Sequence, residues 1–575
     1  MGAMTPRERI AYASIGVAQG GVFWLAHETW PESTPGRALV MAAVFFAASA
    51  GITAQMCWTR RHRARLATLA LGIAAPLAAI AAWVWSQVPV TPGTYGGDES
   101  RVFTWCAAAF VCLYIAMPFA QIFRRDGRLA FPYRDLFFHA WTNAFVGMLG
   151  QIYITVFFAL IQLWGGLFEL IGIDFFSHVF RSDPFRYFSY PTVFGYGLLV
   201  GRENARFPDA GRSAVLAVFR FLMPLLAGIQ LLFLAALPFT GLTALWGTGH
   251  ASALLLGLTA FVVLFVNAVF EDGETAPPSP PALRRLTGAA LAALPIVVAI
   301  AAYSLWLRVD QYGLSPERVY AIVVCAFGSL FAIGYAAALF RSAGPWLGAI
   351  RRVNVALSLA VVAVGVALHT PLLDPLRASA RSQVARLLAG RVAVADFDFA
   401  SLRFHLGHAG DRALDRLAAA HHPDHIAIAQ AVRAARALAY YQEKPALAAR
   451  LRDEDLELLG SLGSVPEGFT EFVGGPERGL RGQCFPGAHC SLFAIDLDGD
   501  GAPEHCLVSG ETPHGYAPPV RCFAHTAEGW RSIGTLTRDG GAGVDVRALR
   551  ERGAEAVAPR YRDVRIGEQV YRLAP

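Results

Sequence analysis

The stretch Asp496-Leu497-Asp498-Gly499-Asp500-Gly501-Ala502-Pro503-Glu504 holds the densest run of ligand-type residues in the chain. Acids at alternate positions followed by glycine suit a calcium loop. Positions 1, 3 and 5 (Asp496, Asp498, Asp500) offer carboxylate oxygens, position 7 (Ala502) offers a backbone carbonyl, and glycine permits the sharp turn. Position 12 is Leu507, so the bidentate glutamate of an EF-hand is missing. The flanks SLFAI and HCLVSG read as strands rather than helices. The expected cofactor is a structural calcium ion, with a tight acidic turn lacking metal as the alternative.

Cys484, Cys490, Cys506 and Cys522 fall in the same C-terminal stretch. An even set in a small domain suggests disulfides where the compartment is oxidising. Free thiols and a zinc site are the alternatives, although the spacings lack the paired C-x-x-C of zinc ribbons. The sequence does not choose among three connectivities. Cys57, Cys106, Cys112 and Cys325 lie in apolar blocks, where a thiol serves as a small buried hydrophobe.

A second group of chemistry-bearing residues sits at the edges of the apolar blocks: Glu169, Asp174, His178, Arg308, Asp310, Gln311, Tyr312, Glu317 and Arg318. Opposite charges there form either a structural ion-pair cluster or an outward-facing pocket. None is assigned a catalytic role. Inside the blocks, His139 and Asn143 stand one helical turn apart with Gly147 and Gly150 on the same face, which is read as close helix packing. Arg220 is expected to snorkel, with an acidic partner as the alternative, and Asn267 to bond across helices. The HHPDH segment at His421, His422 and His425 reads as a turn between helices rather than a metal site.

The elements that must position these residues follow from composition. Of 575 residues, 55% are hydrophobic and 16% charged, against about 25% charged in soluble domains. The deficit is confined to the first 370 residues. Apolar blocks at 8–27, 37–57, 66–87, 102–123, 138–165, 213–239, 250–270, 286–307, 317–341 and 353–369 approach or exceed the roughly 20 residues a helix needs to cross a bilayer. An eleventh block, 188–201, is short and carries Pro191, Gly195 and Gly197, which suggests a half-helix or re-entrant piece. The expected fold is an α-helical polytopic membrane bundle of about 11 spans, followed by a soluble α and then β-rich C-terminal region. Residues 1–370 form the bundle. Residues 371–465 form a helical segment opening on an amphipathic juxtamembrane helix at 374–390, read as lying on the membrane surface, with helical periodicity running to about 462. Residues 466–575 form a small β-rich domain.

Although the net charge is +6, the bases do not make a nucleic-acid surface; no basic stripe with interleaved aromatics occurs in the soluble part. They cluster in loops: Arg7 and Arg9; Arg60, Arg61, Arg63 and Arg65; Arg124, Arg125, Arg128 and Arg134; Arg202, Arg206 and Arg212; Arg284 and Arg285; Arg341, Arg351 and Arg352. The alternate loops hold only Arg37, Arg101, Arg181, Arg186 and Arg308. By the positive-inside rule the N-terminus is cytoplasmic. Eleven crossings then place the C-terminal region in the periplasm of a bacterial inner-membrane protein, where disulfides persist.

The stretches LFELIGIDFF (167–176), LPFTGLTALWGTGHASALLL (237–256), LRVDQYGLSPERVYA (307–321), TPLLDP (370–375) and FDFASLRFHLGHAGDRAL (397–414) resemble a bacterial multi-spanning family catalogued as domain of unknown function 4153. The resemblance runs from about residue 130 to the C-terminus and takes in the DLDGDG loop and YRDVRIGEQ (561–569). It implies an inner-membrane location and a bundle-plus-soluble-domain plan, and brings no activity with it. The loop itself is similar to the calcium loops between strands of integrin-type propeller repeats, where an acid at position 9, here Glu504, completes the site.

The functional expectation is a non-enzymatic permease-like, sensory or envelope-scaffold bundle, contacting the lipid bilayer and an envelope component or protein partner. A secondary transporter would need pseudo-symmetric halves around a polar midplane site. A polyprenyl-linked glycosyltransferase would need Glu28 or Glu32 in a groove with Glu169 and Asp174.

Overall fold

A computed structural model describes residues 5–58, 63–88, 97–204, 206–242, 250–272, 280–340, 346–438, 453–460, 462–473, 490–508, 520–526, 529–536, 549–550, 553–556, 564–566 and 569–571. The chain divides into two compact units, Met1–Gln442 and Glu443–Pro575.

The first unit is helical. Its N-terminal half contains α1 (Pro6–Glu28), α2 (Thr34–Met56), α3 (Arg63–Ser86), α4 (Gly97–Asp126), α5 (Tyr133–Glu169), the short α6 (Phe175–Arg181) and α7 (Asp183–Glu203). Polar residues just ahead of prolines set several of these starts. Thr5 and Glu8 close a capping box on α1, and Ser33 Oγ accepts from Gly36 N on α2.

The segment 188–201 is not a half-helix. It lies within α7, which is continuous over 21 residues despite Pro191, about 31 Å at 1.5 Å per residue. Its glycines lower the local hydropathy because they serve packing. A Cβ on Gly197 would stand 2.6 Å from Gly150 Cα on α5. From the other side, Cβ atoms on Gly16 and Gly20 of α1 would meet Thr192 Cα and Tyr187 O, each at 2.6 Å. Backbones this close admit only glycine.

The second half of the bundle comprises α8 (Arg206–Thr240), α9 (Ala251–Phe270), α10 (Pro281–Tyr312), α11 (Pro316–Leu339) and α12 (Ile350–Leu368). Its core is built on Met223, Val262, Leu291, Leu294, Ala332 and Tyr335. A closed polar network ties four helices there. Asn354 Nδ2 donates to Tyr133 OH (2.8 Å) and Asn267 Oδ1 (2.7 Å), Tyr335 OH donates to Asn354 Oδ1 (2.5 Å), and Asn267 Nδ2 donates to Tyr335 OH (2.7 Å). Asn267 thus makes the interhelical bonds expected of it. Such satisfaction is what an apolar interior requires of buried amides and hydroxyls.

Among the described residues, nine helices are long and apolar enough to cross a membrane: α2 to α5 and α8 to α12. Phe110, Leu160, Phe221, Leu232 and Ile333 are each more than half exposed on them, a surface suited to lipid rather than water. The protein is a multi-pass membrane protein.

Past α12 come α13 (Pro375–Leu388), α14 (Phe399–His405), α15 (Gly407–Ala418) and α16 (His425–Ala437). The apolar stripe of α13 is not free to lie on a membrane: Leu376, Ala380 and Leu387 are buried in a core with Leu402, Leu414 and Ile428. The helix is amphipathic, and its apolar face packs against protein. His421, His422 and His425 fall at the turn from α15 to α16, where Asp424 N donates to His422 Nδ1 (3.2 Å).

In the second unit, strands β1 (Leu456–Leu459), β2 (Cys490–Ile495), β3 (Glu504–Val508), β4 (Val520–Thr526) and β5 (Gly529–Leu536) form one sheet in that order, β1 parallel to β2 and the rest antiparallel. Helix α17 (Phe469–Val473) packs on it, and β6 (Val564–Ile566) pairs with β7 (Gln569–Tyr571). Leu456–Leu459 falls where helical periodicity was expected to continue. Pairing with β2 and burial of Leu456 and Leu459 on opposite faces override the helical propensity of LELL.

Candidate functional site

At one end of the bundle a cavity of about 420 Å³ lies between helix termini. The first described turn of α4 contributes Arg101 and Thr104. The start of α11 contributes Ser315, Pro316, Glu317 and Tyr320. His369 is the C-cap of α12, Asp374 the N-cap of α13, and α14 adds Ser401 and His405. Local sequence explains the convergence. Ser315-Pro316 and Asp374-Pro375 are each a capping residue followed by proline at the first helical position. Each stops one chain segment and starts the next helix at the cavity wall.

Arg101 and Asp374 form an ion pair at 3.4 Å, with side chains only 9% and 3% exposed. Asp374 Oδ1 also accepts from Leu376 N (3.0 Å), and Arg377 Nε stands 3.6 Å from the carboxylate. This acid therefore caps a helix and neutralises a buried cation at once. His369 Nδ1 lies 2.9 Å from Gly365 O. A carbonyl only accepts, so Nδ1 carries the proton, and Nε2 lies 3.5 Å from Tyr320 OH. Burial pushes the imidazole below its ordinary value of 6.5; the Gly365 carbonyl opposes the shift and Arg101 adds to it. The one Tyr320 hydroxyl proton is donated to Thr104 Oγ1 (3.2 Å). A cation, a neutral imidazole acceptor and hydroxyls from three elements thus face one space, with the exposed Glu317 among its lining residues.

The residues singled out from sequence are split by the structure. Glu169 pairs with Arg181 at 3.7 Å on the surface, and Asp174 O accepts from His178 Nδ1 (2.8 Å) at the start of α6. On α10 and α11, Arg318 Nη1 donates to Gly313 O (2.8 Å) and stacks over Tyr312, 5.3 Å from the ring centroid. There Arg386 of α13 grips the C-terminus of α10 through Asp310 O (2.7 Å) and Gln311 O (2.6 Å), satisfying carbonyls a helix end leaves open. Arg308 is exposed beside them. No hydrogen bond or ion pair among the described residues joins the α6 group to the α10–α11 group. Of all these residues Glu317 alone lines the cavity. Arg101, Tyr320, His369 and Asp374 were missed; the usable signal was the pair of cap-proline starts, SPE and DPL.

The opposite end of the bundle carries the arginine-rich loops, tied together by ion pairs. Arg9 meets Glu203 at 3.0 Å, Arg125 meets Asp135 at 2.5 Å, Arg134 meets Asp272 at 3.6 Å, and Arg220 pairs with Glu271. Arg220 has the acidic partner and does not merely snorkel. Asn143 exchanges reciprocal bonds with Gln121, and Gly150 packs on Phe194, while Gly147 faces open space.

In the second unit the loop between β2 and β3 brings Asp496, Asp498 and Glu504 together, with carboxylate oxygens all within 4.8 Å of one another. Asp500 is outside this group, its Oδ1 accepting from Ala502 N (2.7 Å). Asp496 accepts from Gly499 N and Gly501 N, and Glu504 from Leu497 N (2.7 Å). Cys506 and Cys522 are direct cross-strand partners joined by a disulfide, and Cys490 is also disulfide-bonded. Cys484 lies outside the described residues. Desolvation lowers the pKa of His505 on the same sheet.

The family described as "Domain of unknown function (DUF4153)" matches residues 38–417. The chain belongs to this family. The match begins well before residue 130, taking in α2 to α4, and ends before the 496–504 loop and the YRDVRIGEQ segment. Every residue lining the cavity falls inside the matched region, and most lie in or beside three stretches that carry the resemblance, 307–321, 370–375 and 397–414. No curated protein and no solved structure matches the chain.

Proposed function

We propose that this DUF4153 member is a bacterial inner-membrane protein with eleven spans, its arginine-rich ends in the cytoplasm and residues 371–575 in the periplasm. It works as a non-enzymatic sensory or permease-like bundle, binding a small hydroxyl-rich polar solute in the cavity around Arg101, Tyr320 and His369. The observation that carries this reading is the cavity itself: a buried ion pair, a neutral imidazole and four hydroxyl-bearing side chains converge at the bundle end opposite the paired arginine loops. Orientation draws support from two independent sources, the arginine asymmetry and the Cys506–Cys522 disulfide, which an oxidising compartment preserves. With α1 and α7 counted by length, about 34 and 31 Å, eleven spans give the required odd number.

The competing readings lack support. Glu28, Glu32, Glu169 and Asp174 line none of the described cavities, and the interior polar groups of α5, α9, α11 and α12 bond to one another rather than facing a midplane void. In the periplasmic unit we propose a calcium ion held by Asp496, Asp498 and Glu504. Oxygens bound at 2.3–2.6 Å to one ion lie no more than about 5 Å apart, a limit that these three meet.

The ligand reading is tested on full-length protein in detergent. A panel of sugars, polyols and sugar acids is screened by thermal unfolding against wild type, Tyr320→Phe and His369→Gln. A compound that raises the wild-type midpoint and loses its effect in both variants is expected. Equal shifts in all three proteins would sink the cavity as the binding site.

A further inference from the structure

Ala380 of α13 and Ala409 of α15 floor a separate cleft of about 280 Å³. Its walls are Arg377 and Arg381, one turn apart on α13, and Arg412 and Arg416, one turn apart on α15. No acid lines it. The acids of α15 are engaged away from the cleft: Asp411 stands 3.7 Å from His408 Nδ1, and Asp415 pairs with Arg436. Asp374 meets Arg377 only at 3.6 Å and is shared with Arg101. Arg381, Arg412 and Arg416 make no ion pair with any described residue. Four like charges around one small space repel one another until an anion enters.

The level of the cleft identifies the anion. Arg377 lies over Trp83, 5.9 Å from its ring centroid, in the last turn of α3. Leu372 and Leu373, in the link from α12 to α13, are 80% and 51% exposed. Tryptophan at the end of a spanning helix, with exposed leucines next to arginines, marks the headgroup layer of a bilayer. We infer that this cleft binds the phosphoryl headgroup of an anionic phospholipid from the surrounding leaflet. The guanidinium forks match phosphate oxygens in pairs. The volume falls just below that of pockets for whole drug-sized ligands, about 300–1,000 Å³, so the headgroup enters while the acyl chains stay in the bilayer. This site does not depend on which leaflet it faces.

Native mass spectrometry of delipidated full-length protein tests this, with phosphatidylglycerol and phosphatidylcholine of matched chains as probes. Wild type is expected to retain phosphatidylglycerol over phosphatidylcholine, more weakly as salt rises. Each arginine neutralised should weaken phosphatidylglycerol binding about fivefold, and the triple variant Arg381→Gln, Arg412→Gln, Arg416→Gln roughly a hundredfold. Arg433→Gln, an exposed arginine on α16, should change nothing. Should the triple variant not fold, Arg412→Gln alone carries the fivefold test. Equal retention of the two lipids, or unchanged binding in the variants, overturns the proposal. Displacement of phosphatidylglycerol by inorganic phosphate at equal concentration also overturns it, because the cleft would then be a site for free anions.

Discussion

Arg101→Met is the perturbation that probes the cavity most sharply. It keeps the side-chain length but removes the cation facing Asp374, whose carboxylate is 3% exposed. Breaking a buried ion pair from one side costs about 3–5 kcal/mol, since the remaining charge is left without compensation. Here Arg377 Nε at 3.6 Å and the Leu376 amide at 3.0 Å retain part of that compensation, which lowers the expected loss to about 2 kcal/mol. Asp374→Asn keeps an acceptor for the α13 cap but removes the carboxylate charge facing Arg101, and should lose about 1–2 kcal/mol. The double variant removes both charges and should lose less than the two singles combined, by about 1–2 kcal/mol. Denaturant unfolding of the full-length protein, followed by tryptophan emission, reads these differences. Trp105 is well placed to report them, being fully buried with its ring 5.3 Å from that of His369. Additivity within about 0.5 kcal/mol would refute the coupling and, with it, the view that this pair organises the cavity.

Three further outcomes are expected. Gly197→Val should disrupt folding by forcing α5 and α7 apart, costing about 1–3 kcal/mol or more, whereas Gly257→Ala, with nothing within 4 Å of its Cβ, should leave thermal stability within about 0.5 kcal/mol. Because burial holds His369 below its ordinary 6.5, the folded state binds fewer protons than the unfolded chain in acid. Its contribution to stability is therefore complete above pH 6.5 and is lost as pH falls through the lower folded-state value; unfolding midpoints between pH 7.5 and 5 should fall more steeply in wild type than in His369→Gln. Calorimetric titration of the full-length protein with calcium should give a binding heat that Asp496→Asn and Glu504→Gln abolish, and no heat in wild type would exclude calcium from the loop.

Much of the bundle was legible in the sequence because lipid demands long apolar runs, and those runs survive any rearrangement of their neighbours. The same reasoning misjudged α7. Pro191, Gly195 and Gly197 lower its hydropathy and mimic a break, yet the two glycines are there so that Gln55 and the α5 backbone can approach. The cavity was harder to read. Arg101, Tyr320, His369 and Asp374 come from four segments, and each has an ordinary local meaning: a loop cation, an interfacial aromatic, a helix cap, another cap. Only their convergence makes them a site. Residues chosen for lying near the bilayer edge, such as Arg318 and Gln311, proved to mark where α10 ends and α13 docks. The DLDGDG pattern, by contrast, reads locally because the carboxylates it brings together, Asp496, Asp498 and Glu504, come from one short stretch of chain.

Orientation is the claim on which the cavity's exposure and the disulfide's persistence both rest. Alkaline phosphatase, which folds actively only outside the cytoplasm, fused after Pro575 should be active, and a fluorescent protein that matures only in the cytoplasm should be dark at the same position. A dark phosphatase with a bright fluorescent fusion would contradict the account.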